Sequence, residues 1–298
     1  MLQSVLSINS SHFEDHHSTN RPVNEVAAFL INRPCGLAVC RGLAAVRTSS
    51  GVELYDASTL KGLASSHDQS SPVTRIRLTS NGQIFTSDAS SISSRSVTAI
   101  DTMTRPQEIL EFSDISDFDI HGHRIAIVTR KDLVFADVNG HISSTKSCGG
   151  AGSAGRVSFF SETSAAVTSH VIQSFDCRTG SVAAFWAQPG TGGVFTAVAG
   201  SGHSIVAGNS QGVLCLFDIR APGSAVRNHQ SQSGAITEVL MTMDGTVIAG
   251  SCDGSILRWR DGAKKESTID GGAVVAMGEE GGVVVYGTDT GRLVSRRV

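Results

Sequence analysis

One unit recurs along this chain: an apolar strand, a short polar turn closing on glycine, and a second alternating strand that tends to end on an acid. Ala207-Gly208-Asn209-Ser210-Gln211-Gly212-Val213-Leu214-Cys215-Leu216-Phe217-Asp218 is one copy. Ala249-Gly250-Ser251-Cys252-Asp253-Gly254-Ser255-Ile256-Leu257-Arg258-Trp259-Arg260 is another, and Val46 to Asp56 and Tyr286 to Arg296 follow the same plan. Glycine in the turn supplies the positive φ of a tight hairpin. Alternation with period two marks strands with one face buried. Looser copies end at Asp101, Asp137 and Asp176. The seven endings Asp56, Asp101, Asp137, Asp176, Asp218, Arg260 and Arg296 stand 36 to 45 residues apart. A four-stranded propeller blade takes roughly 40–45 residues, so seven endings predict seven blades.

The other strands of each unit fit between these hairpins. Val73 to Leu78 leads to Asn81-Gly82, and Ile236 to Leu240 leads toward Asp244-Gly245, both strong turn formers. Long stretches with helical periodicity are hard to find, which disfavours an α/β sheet. The predicted fold is all-β: one seven-bladed WD40-type β-propeller. An N-terminal segment (1–34) precedes blades over about 35–70, 71–114, 115–150, 151–190, 191–232, 233–270 and 271–298. The last unit stops after its third strand. A strand from the N-terminal segment is therefore expected to complete it and hide both edges. Leu2–Ile8 and Val23–Ile31 are the candidates, and the second is favoured because it directly precedes the first blade.

Composition narrows the function. The net charge of −3 and pI near 6.4 lack the basic excess of a dedicated nucleic-acid binder. The basic residues Arg258, Arg260, Lys264 and Lys265 read as one solvated blade face. The six cysteines (Cys35, Cys40, Cys148, Cys177, Cys215 and Cys252) form no C-x-x-C pair, which points to reduced thiols in an intracellular compartment. The N-terminus lacks a signal-peptide pattern, and no apolar run approaches the roughly 20 residues of a membrane span.

Several strings resemble catalytic or ligand motifs. Gly208-Asn209-Ser210-Gln211-Gly212 matches G-x-S-x-G, but that nucleophile elbow must join a strand to a helix. Gly250 to Gly254 repeats the glycine spacing with Cys252 in the middle, as a recurring turn would. Gly150 to Gly155 matches G-x-G-x-x-G, yet a strand-like run follows where a dinucleotide site needs a helix. His121-Gly122-His123 reads as a hairpin turn, and Asp15-His16-His17 as an exposed terminal segment. No catalytic residue, cofactor or metal is expected. The set His229, Ser251, Asp253 and Trp259 reads instead as the buried hydrogen-bond network of a WD blade. There the Asp orients the imidazole and the indole N–H requires a partner. His67 occupies the corresponding place in the first blade. The other blades depart from the pattern, so the array is degenerate.

The last third of the chain resembles the nucleoporin forty-three family, the small propellers of the Y-shaped outer-ring complex of the nuclear pore. Leu214 to Arg220 followed by His229 carries part of the resemblance. Thr237-Glu238-Val239, Asp253-Gly254-Ser255 and Trp259 carry more, and Val283 to Asp289 is the distinctive stretch. The resemblance implies an architectural protein at the nuclear envelope, bound to an α-helical-solenoid nucleoporin. It also implies a part in protein and mRNA transport and presence at kinetochores in mitosis. The alternative is a WD-repeat adaptor of another complex, such as a ubiquitin-ligase substrate receptor, a coat or a chromatin complex.

Overall fold

The computed structural model describes residues 25–30, 34–48, 51–66, 75–99, 102–147, 155–187, 193–223, 225–230, 234–242, 244–260, 263–268 and 272–297. Among them there is no helix, only strands and turns. The first strand, β1 (Glu25–Phe29), stands apart from the run that follows. Blade one comprises β2 (Pro34–Cys40), β3 (Leu43–Thr48), β4 (Gly51–Asp56) and β5 (Gly62–Ser66). Blade two comprises β6 (Arg75–Leu78), β7 (Gln83–Ser87), β8 (Ser91–Ala99), the two-residue β9 (Thr102–Met103) and β10 (Gln107–Glu111). Blade three comprises β11 (Ile115–His121), β12 (Arg124–Thr129), β13 (Asp132–Asp137) and β14 (Ile142–Ser147). Blade four comprises β15 (Val157–Ser161), β16 (Ser164–Thr168), β17 (Val171–Asp176) and β18 (Ser181–Ala187). Blade five comprises β19 (Phe195–Ser201), β20 (Ser204–Asn209), β21 (Val213–Asp218) and β22 (Arg227–Gln230). Blade six comprises β23 (Ile236–Met241), β24 (Val247–Ser251), β25 (Ser255–Arg260) and β26 (Ala263–Thr268). Blade seven holds β27 (Val274–Glu280), β28 (Val283–Thr288) and β29 (Arg292–Arg297), with β1 as its fourth strand.

That fourth strand closes the ring. β1 pairs antiparallel with β29, from Glu25 opposite Arg296 to Phe29 opposite Arg292. It lies within the favoured segment Val23–Ile31. The rival Leu2–Ile8 falls outside the described residues. Leu30 N–H adds a 2.8 Å bond to the Gly291 carbonyl, so the chain leaves β1 anchored before it enters blade one.

The core sits between blades. Each of seven apolar clusters fills one junction of the ring. Ala126, Phe135, Phe159 and Phe175 join blades three and four, and Phe160, Trp186, Phe195 and Phe217 join four and five. Middle strands bury both faces, which explains why they read as nearly continuous apolar runs. In β20, Ile205 and Ala207 pack toward blade four while Val206 packs toward blade six. In β3, Ala44 and Val46 pack toward blade seven and Ala45 toward blade two.

Close blade contact also explains the recurring Gly before the second-strand end. A Cβ at Gly208 would lie 2.3 Å from Ile236 Cγ2, and one at Gly250 would lie 2.6 Å from Val274 Cγ1. At Gly287 it would lie 2.9 Å from Pro34. Each glycine lets the next blade's first strand press onto it. Gly208→Ala should destabilise the ring by about 1–3 kcal/mol, because Ile236 is pinned by its own strand. Urea unfolding of the variant checks this.

Of Val97 to Asp101, expected to end the third strand of blade two, Val97, Thr98 and Ala99 lie in that strand, Ser91–Ala99. Its first half pairs with β10, and Val97 and Ala99 pair with β9. Asp101 lies outside the described residues, as do His67, Cys148, Asp15 to His17 and most of the Gly150–Gly155 string.

Candidate interaction site at the channel mouth

The seven first strands line a central cavity of about 330 Å³. Val39, Leu78, Ile120, Val198, Met241 and Met277 give it an apolar wall. Toward the end where these strands begin, the wall turns ionic. Arg75 Nε lies 3.0 Å from Asp117 Oδ1, and its Nη1 lies 3.3 Å from Glu238 Oε1. Arg77 Nε lies 2.7 Å from Asp119 Oδ1, and Arg156 Nη2 lies 3.6 Å from Glu238 Oε1. These pairs link blades two, three, four and six across the channel.

Both aspartates also accept backbone bonds from the neighbouring blade. Val157 N–H donates to Asp117 Oδ2 at 3.0 Å, and Phe159 N–H to Asp119 Oδ2 at 2.8 Å. Arg77 stands 5.8 Å over the Phe118 ring. Burial pushes the Asp117 and Glu238 carboxyls above their usual range, against the opposing pull of Arg75 and Arg77. Burial opposes the charge on Arg77, but Asp119 and Asp117 outweigh it and raise its pKa. Such a network adds little net stability relative to an apolar core. It does fix which strands meet at the mouth.

Sequence reasoning missed this cluster. Its signal was present as charges inside first strands, at alternate positions in Arg75-Ile76-Arg77 and Asp117-Phe118-Asp119 and singly at Glu238. On a strand buried on both faces, alternating charges point to one shared ionic layer.

The predicted blade network divides into two parts. The Ser251 hydroxyl donates to Asp253 Oδ1, which also receives Ser255 N–H at 2.9 Å, closing the turn from β24 to β25. His229 belongs to β22, the outer strand of blade five, and its ring lies 6.0 Å from that of Trp259 at a tilt of 31°. The position of Ser251 recurs as a buried polar residue closing the second strand. Thr48, Ser87, Thr168, Asn209 and Thr288 all occupy it. Asn209 Oδ1, for example, accepts Gln211 and Val213 N–H at 2.9 and 2.8 Å.

The acids ending third strands have a plain structural task. Asp56 Oδ1 accepts Thr59 N–H at 2.8 Å, and Asp137 Oδ1 accepts both Asn139 and His141 N–H at 2.9 Å. Asp176 and Asp218 accept Arg178 and Arg220 N–H at 2.9 Å, and each also holds its arginine's guanidinium at 2.6 Å. In blade six the pattern inverts: Arg260 ends the strand and reaches Asp244 of the preceding turn at 2.8 Å. The side-chain bonds from Arg178 and Arg220 lead in holding Asp176 and Asp218 down to about 2. A depressed carboxylate supports the fold above its unfolded pKa and loses that support as pH falls through the folded value. The turns of blades four and five should therefore stay ordered from neutral pH to about 3 and loosen near 2. Carboxyl NMR titration of wild type against Asp218→Asn checks this.

The motif look-alikes sit where turns require them. Gly208 to Gly212 joins β20 to β21, two strands, with Gly212 at φ 79°. His121 and His123 flank Gly122, at φ 61°, in the hairpin between β11 and β12. Among the described residues no group of three or more His, Cys, Asp or Glu side chains is placed to hold a metal ion. Cys40, Cys177, Cys215 and Cys252 form no disulfide.

No family model and no curated protein sequence matches this chain. Solved structures do. The WD40 β-propeller domain of Doa1 superposes with a TM-score of 0.76 at 10% identity, over 89% of this chain and 93% of that one. The fold is a seven-bladed, WD40-like β-propeller. A computationally designed protein, Ika8, superposes with a TM-score of 0.65 at 15% identity, over 91% of this chain and 98% of the design.

Proposed function

We propose that this propeller is a non-catalytic scaffold of the nuclear pore's Y-shaped outer ring, holding an α-helical-solenoid nucleoporin. One observation carries the scaffold reading: Asp117, Asp119 and Glu238, the acids at the channel mouth, are all matched to arginines. Their charge is spent in joining blades, which leaves rigidity and outer surface as what the ring offers. The resemblance of Leu214–Arg220, Asp253–Ser255 and Val283–Asp289 to the nucleoporin forty-three family supports the placement in the pore. In cells this reading corresponds to the nuclear envelope in interphase and kinetochores in mitosis. Affinity purification of the tagged full chain, followed by mass spectrometry, tests it. Recovery of a solenoid nucleoporin with its Y-complex neighbours is expected. A preparation that instead holds ubiquitin-ligase, coat or chromatin subunits, with no nucleoporin, overturns it in favour of the adaptor reading.

A further inference from the structure

At the channel mouth Arg75, Arg77 and Arg156 match Asp117, Asp119 and Glu238, and one further positive charge adjoins Arg75. That charge belongs to Arg47. It is 6% exposed, and its buried Nε has no hydrogen-bond partner. Its electrostatic neighbours are the Cys35 thiol and the Arg75 cation, with no carboxylate among them. Arg47 is the penultimate residue of β3, opposite Gly36 and Val52. Blades five, six and seven place Gly208, Gly250 and Gly287 there. Blade one thus sets a long cationic side chain at a junction position where blades five, six and seven have no room for one.

A buried guanidinium Nε without a partner is costly, and the fork of donors it belongs to matches a carboxylate or phosphate. We infer that Arg47, backed by Arg75, forms an oxyanion site at the junction of blades one and two beside the channel mouth. The ligand is a single carboxylate or phosphate group, free or carried by a docked segment. This assignment is independent of which complex the propeller joins.

Thermal unfolding of the full chain in chloride, inorganic phosphate and acetate at matched ionic strength tests the site, with Arg47→Met as the comparison. Wild type should gain about 2–4 °C, saturably, at tenfold excess of anion over Kd. A gain in phosphate alone assigns a phosphate-type ligand, and a gain in acetate as well shows that a carboxylate suffices. Arg47→Met should show neither gain and should melt at or above wild type in chloride, since it removes a buried donor without a partner. The proposal falls if wild type gains nothing beyond chloride, or if both proteins gain equally. It also falls if the variant fails to fold or melts below wild type in chloride, since Arg47 would then be satisfied from within.

Discussion

Removing residues 1–29 should abolish cooperative folding of the whole ring. The deletion strips β1 from β29, losing the ladder from Glu25–Arg296 to Phe29–Arg292. It also uncovers two cores at once, because Ala28 packs with Leu37, Val285 and Leu293 while Ala27 packs with Met277, Tyr286 and Val294. Hydrogen bonds at about 1 kcal/mol each and the lost apolar burial together amount to about 5 kcal/mol or more. That is comparable to the whole margin of a typical domain, about 5–15 kcal/mol. Circular dichroism should show a broad, weak transition where the full chain shows a sharp one.

The second large effect belongs to the channel. Asp117→Ala should cost about 3–5 kcal/mol, the usual consequence of removing one member of a buried ion pair. The side chain is 3% exposed, serves Arg75 and Arg77 together, and accepts Val157 N–H from blade four. Pairing it with Arg75→Met should recover part of the loss, since the stranded cation then leaves as well. Simple additivity of the two losses would show that Asp117 acts through Arg77 and Val157 and not through Arg75. Asp218→Ala, at the surface, should cost far less.

The ring was legible in the sequence because its blades repeat a local rule. Alternating strands, glycine turns and an acid at the third-strand end recur at one period, and each has a local cause. Asp56, Asp137, Asp176 and Asp218 bond turn amides within a few residues of themselves. The channel network was not legible, because it is made by residues far apart in the chain. Arg75 meets Glu238 only when blade six comes round to face blade two. The network expected around Trp259 was half local: Ser251 and Asp253 bond across one turn, whereas His229 comes from the neighbouring blade's outer strand. Arg47 reads as an ordinary strand residue until its place is compared with Gly208, Gly250 and Gly287.

Closure of the ring by β1 underlies the whole account, and a cross-link tests it directly. Val26 and Ser295 stand opposite each other in the β1–β29 ladder. Val26→Cys combined with Ser295→Cys should form a disulfide nearly completely under mild oxidation, joining the two ends of the chain in one proteolytic peptide pair. It should also raise the unfolding temperature, since so long a loop is constrained in the unfolded state. A folded protein in which the two thiols stay unlinked would contradict the closed ring.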